Sequence, residues 1–414
     1  MSSRHWLRPL RDRNFRLFFL GQTASQIGTG MAPVAVAFAV LAHGNASDVG
    51  YVLAAGTVPL VVLLLVGGVV GDRVSRRRLM LMADTLRTVA EIGLGLWVLL
   101  GPPPLWGFMA LAAIMGIGQA FFSPAMTGIV PQLLSADMLQ QGNALNGISA
   151  SSGGVVGPAL AGVIVAASNP GWAILADGAT YLVSVISLAL IRIDWNASEH
   201  PEAFVALLRE GWREFWSRSW LWAIVIQSAF VNALFAALFV LGPVVAKQSL
   251  GGASSWGAIL AAEGAGAVIG GVVMLRVHPR RPLLVANLSA LVFALPLFFV
   301  ATQSAVVVIA IAAFLAGAFI AVFSVQWTTT MQREIPAHVL SRVSAYDWFG
   351  SLVILPIGMA LAGPVASKIG IKATLVGCGV LIIVLILLTL LMPSVIRLSA
   401  PAHKEETGKI DLPT

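Results

Sequence analysis

The sequence predicts an all-α membrane protein whose twelve transmembrane helices form two pseudo-symmetric six-helix bundles. Three observations predict this class. The 414 residues are 58% hydrophobic and only 10% charged, with a mean hydropathy of +0.90, whereas soluble domains carry about 25% charged residues. Apolar runs of about 20 residues, the length that crosses a bilayer, recur twelve times along the chain. Glycine-rich segments of the first half also reappear in the second half.

The apolar runs are bounded by charged residues, prolines and glycines. We place the twelve spans at 15–42, 49–70, 79–100, 105–127, 145–167, 172–192, 221–246, 256–275, 283–302, 305–331, 343–366 and 371–392. The first run follows a basic segment, as a signal peptide would. It is too long for the apolar region of a signal peptide and contains Gln22, Gln26 and Pro33. We therefore interpret it as a retained transmembrane helix.

The polar stretch between spans six and seven separates the two predicted bundles. The expected domains are a first bundle at 1–192, a linker at 193–220, a second bundle at 221–396 and a disordered tail at 397–414. In the linker, Trp212 and Phe215 continue an apolar spacing of three or four residues, and Glu214 and Arg218 are spaced for an i,i+4 ion pair. This pattern favours an amphipathic helix on the inner membrane surface, and a simple tether is the alternative.

The positions of the basic residues predict the topology. With a cytoplasmic N-terminus, only Lys247, Lys368 and Lys372 fall in outer loops and Arg87 lies within the membrane, which leaves 21 of the 25 lysines and arginines on the inner side. Basic residues are retained in cytoplasmic loops. The sequence thus predicts a multi-pass protein of the cell (inner or plasma) membrane with both termini cytoplasmic. Because the positive charge follows these loops, we do not expect a nucleic-acid partner.

An internal repeat relates the two halves. The segments 67–78 and 270–281 share eight of twelve residues, and Gly-Pro-Ala-Leu-Ala-Gly at 157–162 is echoed by Gly-Met-Ala-Leu-Ala-Gly at 358–363. Both pairs fall on equivalent helices of the two halves. Such repeats allow one half to rock against the other around a site near the membrane midplane.

Two motifs carry a resemblance to a known family. The pattern Gly68-x-x-x-Asp72-Arg73-x-x-Arg76-Arg77 after span two resembles the first signature of the major facilitator superfamily. Gly157-Pro158 in span five resembles the second signature, typical of antiporters. Ser75 stands where the first signature usually has glycine, so the backbone of this turn can differ. The resemblance implies the major facilitator fold and alternating access.

Shorter segments resemble one group within this superfamily, the drug:proton antiporters that include macrolide and siderophore exporters. They are Asp84-x-x-Arg87, Phe122-Ser123-Pro124-Ala125, Ile129-Val130-Pro131 and Asn143-Ala144-Leu145. This resemblance implies a proton-coupled antiporter that exports hydrophobic or cationic small molecules such as drugs and antibiotics. The alternatives are a dedicated exporter of one metabolite or siderophore, and a non-transporting membrane scaffold or sensor.

The resemblance also implies roles for the signature residues. Gly68, Asp72, Arg73, Arg76 and Arg77 would form a latch that holds the cytoplasmic side shut, and retention of arginines by topology alone is the alternative. Gly157 and Pro158 would seal or bend the cavity on the outer side, since glycine permits close helix approach and proline removes a backbone hydrogen bond. Generic packing of small residues is the alternative for these two.

Ionisable residues within membrane helices are costly and mark functional sites. Asp84, Arg87 and Glu91 share one helical face, where Arg87 can pair with both acids. We expect a structural charge network near the inner gate, with a proton relay as the alternative. Glu263 has no basic residue within a helical turn, so its burial would favour reversible protonation. Glu263 is the first candidate for proton coupling or for meeting a cationic substrate; a carboxyl hydrogen-bonded to a neighbouring helix is the alternative.

Two further acids complete this set. Asp177 in span six is the second candidate for proton coupling, and structural pairing is its alternative. Asp347, near the cytoplasmic start of span eleven, is expected at a gate or at the surface. The resemblance implies that spans one, four, seven and ten line the substrate cavity, whose apolar walls with a few amides suit an amphiphilic ligand. The polar and aromatic residues there are Gln22, Gln26, Gln119, Phe121, Gln227, Phe230, Asn232, Phe235, Gln326 and Trp327.

Other classes of function have no supporting residues in the sequence. We find no nucleotide-binding loop, no cluster of metal ligands and no nucleophile constellation, so we expect no cofactor, no metal and no enzymatic activity. The expected partners are a small-molecule substrate, protons and the lipid bilayer, and the protein is expected to be a monomer.

Overall fold

The structure, a computed structural model, describes residues 5–192, 204–277, 279–396 and 398, with the side chains at 5, 6, 64–73, 127, 136, 204–208, 337, 338 and 341 left undescribed. The described chain is helical and contains no strand. Eleven of its segments are long and apolar enough to span a membrane. The remaining span is α3, whose buried Asp84, Arg87 and Glu91 lower its hydropathy. Twelve spans therefore agree with the predicted all-α membrane class.

Six helices form the first half. They are α1 (Arg13–Leu41), α2 (Ala46–Arg73), α3 (Arg76–Leu100), α4 (Leu105–Leu133), α5 (Leu139–Ala167) and α6 (Pro170–Leu190). Most boundaries lie within a few residues of the predicted spans. Two ends in this half differ most from the prediction: α4 ends at Leu133 rather than at 127, and α5 starts at Leu139 rather than at 145 because its polar first turns continue the helix beyond the apolar core.

The second half begins after the linker helix α7 (Phe204–Ser217). It contains α8 (Ser219–Val245), α9 (Ala253–Met274), α10 (Pro282–Ala290), α11 (Ala294–Ala301), α12 (Val306–Glu334), α13 (Ala337–Leu352), α14 (Leu355–Ile369), α15 (Ile371–Leu390) and α16 (Pro393–Ile396). The pair α10 and α11 builds span nine through a 3-10 turn, and the pair α13 and α14 builds span eleven. The five residues Ala246–Leu250 extend α8 as a π-helical turn.

The linker helix α7 is attached to the second half. Phe215 is buried in the core of that half, and the Trp212 ring lies 5.3 Å from the Tyr346 ring of α13. Glu210 forms an ion pair with Arg342 of α13. The predicted pair between Glu214 and Arg218 also forms, at 2.6 Å. The first part of the predicted linker, 193–203, and most of the tail lie outside the described residues.

Successive spans cross the membrane in opposite directions, so the start of α1, the end of α2 and the start of α8 lie on one face of the membrane. We call this the basic face, because Arg11, Arg76, Arg77, Arg218 and Arg333 lie at helix ends there. The other face is the opposite face.

The buried side chains form three cores. The largest combines both halves and includes Phe38 of α1, Leu241 of α8 and Trp256 of α9. The other two lie at the basic ends of the helices, and each contains residues of one half only, such as Phe15 in the first and Trp327 in the second. Among the described side chains, the halves are therefore packed together toward the opposite face and separate toward the basic face.

Candidate functional site

The contact between α5 and α9 joins the two halves through small residues. A Cβ added to Gly264 of α9 would lie 2.6 Å from the carbonyl carbon of Gly154, and one added to Gly257 would lie 3.0 Å from the Cα of Gly162. Both separations are too short for a side chain. Close backbone approach through small residues is how membrane helices gain packing energy without a hydrophobic driving force.

The second signature lies where α5 contacts α1. A Cβ on Gly157 would lie 2.7 Å from the Cα of Gly30, and one on Gly153 would lie 2.7 Å from the carbonyl carbon of Gln26. The neighbouring Pro158 is buried, and α5 continues as one helix from Leu139 to Ala167. Gly157 and Pro158 therefore lie on a helix that is packed between α1 of its own half and α9 of the other half.

The opposite face is closed by direct contacts between the halves. A Cβ on Gly363 of α14 would lie 2.7 Å from the carbonyl carbon of Ala46 at the start of α2. The ammonium group of Lys247 donates a hydrogen bond to the carbonyl oxygen of Leu41. This bond joins the segment after α8 to the end of α1, so it spans the two halves.

At the basic face, the described signature arginines bond within the first half. The Nε and Nη2 atoms of Arg77 donate to the carbonyl oxygens of Leu188 and Ala189, each at 2.7 Å. They satisfy carbonyls at the end of α6, where a cation is also favoured by the helix dipole. Arg76 donates to the carbonyl oxygen of Gly128 in α4. Gly68, Asp72 and Arg73 lie in the part of α2 whose side chains are outside the description.

A cavity of about 380 Å³ lies in the second half, between α8, α12 and α13. It brings together Gln227, Asn232, Phe235 and Trp327, four of the residues that the sequence assigned to the substrate cavity. The aromatic rings of Phe235 and Trp327 supply apolar walls. The buried side-chain oxygen of Gln227 has no hydrogen-bond partner among the described residues.

Asp347 provides the charge of this second-half cavity. Its Oδ2 atom accepts a hydrogen bond from Nε1 of Trp327 at 3.0 Å, and the Ser351 hydroxyl lies 3.5 Å from Oδ1. Nδ2 of Asn232 in turn donates to the carbonyl oxygen of Ser351 at 3.0 Å. No described lysine or arginine forms an ion pair with Asp347.

The sequence placed Asp347 at a gate or at the surface, and the structure places it in the wall of this cavity. The spacing of Asp347 and Ser351 does put both on one face of α13, which is a signal for a shared polar site. The sequence does not show that this face turns toward Trp327. That orientation depends on the packing of α13 against α12, which carries Trp327.

The other predicted cavity residues do not join this site. Gln22 is buried in α1 with an unpartnered amide nitrogen, and Gln26 packs against α5. Phe121 packs on the basic-end core of the first half, and Phe230 lines a groove between α8, α14 and α15. Gln326 is buried with its amide nitrogen 4.0 Å from the Met274 sulfur. The structure thus does not gather all ten residues around one cavity.

Gln119 belongs instead to a polar network in the first half. Nη1 of Arg87 donates to its Oε1 atom at 2.7 Å, while Nη2 forms an ion pair with Asp84. The guanidinium carbon lies 4.3 Å and 4.5 Å from the ring centroids of Phe122 and Tyr181. These contacts hold Arg87 in one position, with its charge balanced by Asp84.

The sequence indicated that Arg87 can pair with both acids of α3. Among the described contacts, Arg87 forms an ion pair with Asp84 and none with Glu91. Asp84 also accepts a hydrogen bond from Ser184 at 2.6 Å. Glu91 is 3% exposed and has no hydrogen bond or ion pair with a described residue. Asp177 of α6 is similarly buried, and its Oδ2 atom has no partner among the described residues. Glu91 lies beside it, because a Cβ on Gly178 would be 3.3 Å from the Glu91 Cβ.

Glu263 lies on α9 between the two helices that α9 packs against. The next residue, Gly264, contacts α5 of the first half, and Gly317 of α12 packs against the Glu263 carbonyl. The Glu263 carboxylate forms no hydrogen bond or ion pair with any described residue. The backbone at Glu263 therefore packs against α12 of its own half, one residue from the contact of α9 with α5.

The two six-helix halves, joined toward the opposite face, have the architecture of a transporter of the major facilitator superfamily. The chain belongs to the family described as "Transmembrane secretion effector", which it matches over residues 4–407.

Curated relatives cover nearly the whole chain. The multidrug efflux pump Tap of Mycolicibacterium fortuitum is 26% identical over 396 residues, which cover 91% of this chain and 95% of Tap. The enterobactin exporter EntS of Salmonella typhimurium is 28% identical over 389 residues, which cover 91% of this chain and 92% of EntS. Both relatives are exporters of this superfamily, so their likeness favours transport over a scaffold or a sensor.

Solved transporter structures share the fold. The nucleoside transporter NupG superposes with a TM-score of 0.72 at 10% identity and covers 91% of this chain and 98% of its own. A bacterial homologue of the human lysosomal transporter Spinster, in an inward-facing and unoccupied conformation, has a TM-score of 0.72 at 16% identity and covers 94% of this chain and 97% of its own. These structures share the arrangement of the helices with this chain.

Proposed function

We propose that the protein is a proton-coupled antiporter that exports hydrophobic, cationic small molecules by alternating access. The observation that carries this proposal is the second-half cavity, in which aromatic and apolar side chains surround the carboxylate of Asp347. Aromatic faces attract cations, and a carboxylate without a cationic partner adds a full opposite charge. The apolar walls would bind the rest of an amphiphilic molecule.

The direction of transport is proposed from the relatives. Tap is a multidrug efflux pump and EntS an enterobactin exporter. A cargo that enters the cavity from the basic face would leave at the opposite face after the two halves rock. Among the described side chains, the basic ends of the halves are separate and the opposite face is closed, which corresponds to the loading state of such an exporter.

A second candidate function is the dedicated export of one metabolite or siderophore. It is favoured by EntS, whose 28% identity slightly exceeds that of Tap. The two candidates differ in the range of cargo. A multidrug exporter should act on several unrelated hydrophobic cations, whereas a dedicated exporter should act on one compound.

For proton coupling we propose Glu263 first and Asp177 second. Glu263 lies at the moving interface and has no described partner that would hold its charge permanently. Binding of a proton in one state and its release in the other would then drive the cycle. We propose that Arg87 and Asp84 have a structural role, because each already has a described ionic or hydrogen-bond partner.

The function is tested by expression in a bacterium that lacks its main efflux pumps. We expect lower accumulation of several hydrophobic cations, and we expect an uncoupler of the proton gradient to restore accumulation. Unchanged accumulation of every compound in a broad panel, at normal membrane levels of the protein, would contradict the proposal. Export of a single compound would select the dedicated exporter.

The basic face is proposed to be cytoplasmic, with both termini on that side. The reason is the retention of 21 of 25 basic residues on one side of the predicted topology. Reporter fusions at Thr414 and within the 193–220 stretch should both report a cytoplasmic position. A periplasmic signal from either fusion would overturn this topology.

The latch is proposed for Asp72, together with Gly68, Arg73, Arg76 and Arg77. In the present state Arg76 and Arg77 donate hydrogen bonds within the first half. The proposed contact of the motif with the second half would form only in the state that is closed at the basic face. Asp72→Asn is expected to lower efflux at least about tenfold, because it removes a charge-assisted contact of that closed state. Efflux rates are compared at equal protein levels in the membrane. Normal efflux by this variant would leave topology as the only role of the motif.

A further inference from the structure

A second cavity, of about 410 Å³, lies inside the first half and is not part of the second-half site. Residues of helices α1, α2, α3 and α4 line it, together with Tyr181 of α6. Its walls are mostly aliphatic, with Leu53, Leu94 and Leu111 among them. The polar groups gather at the end formed by Arg87, Glu91 and Gln119. The cavity is thus amphiphilic, with an apolar body and a charged end.

The charges at this end are unequal in number. Three buried acids, Asp84, Glu91 and Asp177, lie on α3 and α6 near one guanidinium, that of Arg87, and α1, α2 and α4 contribute no ionisable side chain to the cavity wall. Tyr181 is the other titratable group there, and its hydroxyl is hydrogen-bonded to Thr29 at 2.9 Å. With Arg87 paired to Asp84, Glu91 has no described ion pair, and Asp177 has only the Thr180 hydroxyl, 3.5 Å from its Oδ1 atom.

Glu91 is the acid that reaches the cavity. It lines the wall while being 97% buried, and its Oε2 atom has no hydrogen-bond partner among the described residues. A buried, ionised carboxylate without a partner is strongly unfavourable. Either a proton or a bound cation would remove this cost.

We propose that the first-half cavity is a second binding site, specific for a hydrophobic monovalent cation whose charge is held by Glu91. This second site rests on the proposed function only in the class of ligand, a hydrophobic cation. Arg87 does not repel such a ligand strongly, because Asp84 balances its charge and Gln119 and two aromatic rings hold it in place. The aliphatic walls receive the apolar groups of the ligand.

Proton and ligand compete at this site. Protonation of Glu91 removes the negative charge that attracts the cation, so binding should weaken as the pH falls. Asp177 lies beside Glu91 across the contact of α3 with α6, so the two like charges disfavour each other's ionisation when no cation is bound. A neutral ligand of similar shape should show no such dependence on pH.

The site is tested by equilibrium binding of tetraphenylphosphonium to the purified full chain in lipid nanodiscs. We expect two sites per chain in the wild type. Glu91→Gln should weaken one site about a hundredfold, the scale for loss of one partner of a buried charge pair, and should remove its pH dependence. The matched control is Asp347→Asn, which should weaken the other site and leave the Glu91 site intact, together with the dependence of that site on pH.

A second variant tests the same cavity without changing its charge. Ala112→Phe places a ring among the lining residues and should abolish binding in the first-half cavity while Glu91 is retained. Two unaltered sites in both Glu91→Gln and Ala112→Phe would overturn the proposal. The binding and efflux experiments test different claims. Binding at Glu91 without any efflux would contradict the proposed export and leave the second binding site standing.

Discussion

Replacing Glu263 with glutamine is expected to abolish proton-coupled efflux while the cargo still binds. Glutamine keeps the size and hydrogen-bonding ability of the side chain but cannot release or gain the proton. Glu263 lies beside Gly264, the residue of α9 in closest contact with α5, so its environment changes when the halves rock. A carboxyl is stable as a neutral group in apolar surroundings and as an ion when water or a polar group reaches it.

The measurement is cargo-driven proton movement in proteoliposomes under an imposed pH gradient. Cargo binding in detergent serves as the control and should change less than about threefold. Persistent proton movement in Glu263→Gln would remove this acid from the coupling step. The next acid to test is then Asp177, which is buried at the contact of α6 with α3.

Replacing Gly264 with leucine is expected to abolish transport for a steric reason. A Cβ at this position would already lie 2.6 Å from the carbonyl carbon of Gly154, so the larger side chain would force α5 and α9 apart. Overpacking of this kind costs about 1–3 kcal/mol even where neighbours can adjust. The cost falls on the state in which the opposite face is closed, and that state should be depleted.

The matched control is Gly271→Leu on the same helix. No atom lies within 4 Å of a Cβ added there, so this leucine points into open space among the described residues. We expect normal efflux from the control and loss of efflux from Gly264→Leu at equal protein levels. Spin-label distances between the ends of α5 and α9 at the opposite face should lengthen only in Gly264→Leu. Equal loss in both variants would contradict the steric argument.

Much of the fold was predictable because it depends on the composition of segments. Apolar length fixed the number of spans, and the repeated glycine segments identified two equivalent halves. Boundaries were less predictable where polar residues continue a helix, as at Leu139, or where one span is divided, as near Val353. Hydropathy reveals neither effect. The chain stays apolar across the break near Val353, and it stays helical through the polar turns that follow Leu139.

The site was only partly predictable. The resemblance assigned Asn232, Phe235 and Trp327 to a substrate cavity, and these three side chains line one cavity of the structure. From its position near a helix end, the sequence predicted Asp347 at a gate or at the surface, and in the structure it lines this cavity. Phe230 lines a different groove. Side-chain direction depends on the rotation of each helix, which neighbouring helices decide through their packing.

The sequence by itself determined the membrane class, the count of spans, the two related halves and the resemblance to the superfamily, since these follow from hydropathy and local motifs. Only the tertiary structure decided which charges have partners. Arg87 could reach either acid of α3, and contacts with α4 and α6 direct it to Asp84, which leaves Glu91 unpaired at a cavity. Pairing of buried charges is a property of several helices packed together, and no single segment contains that information.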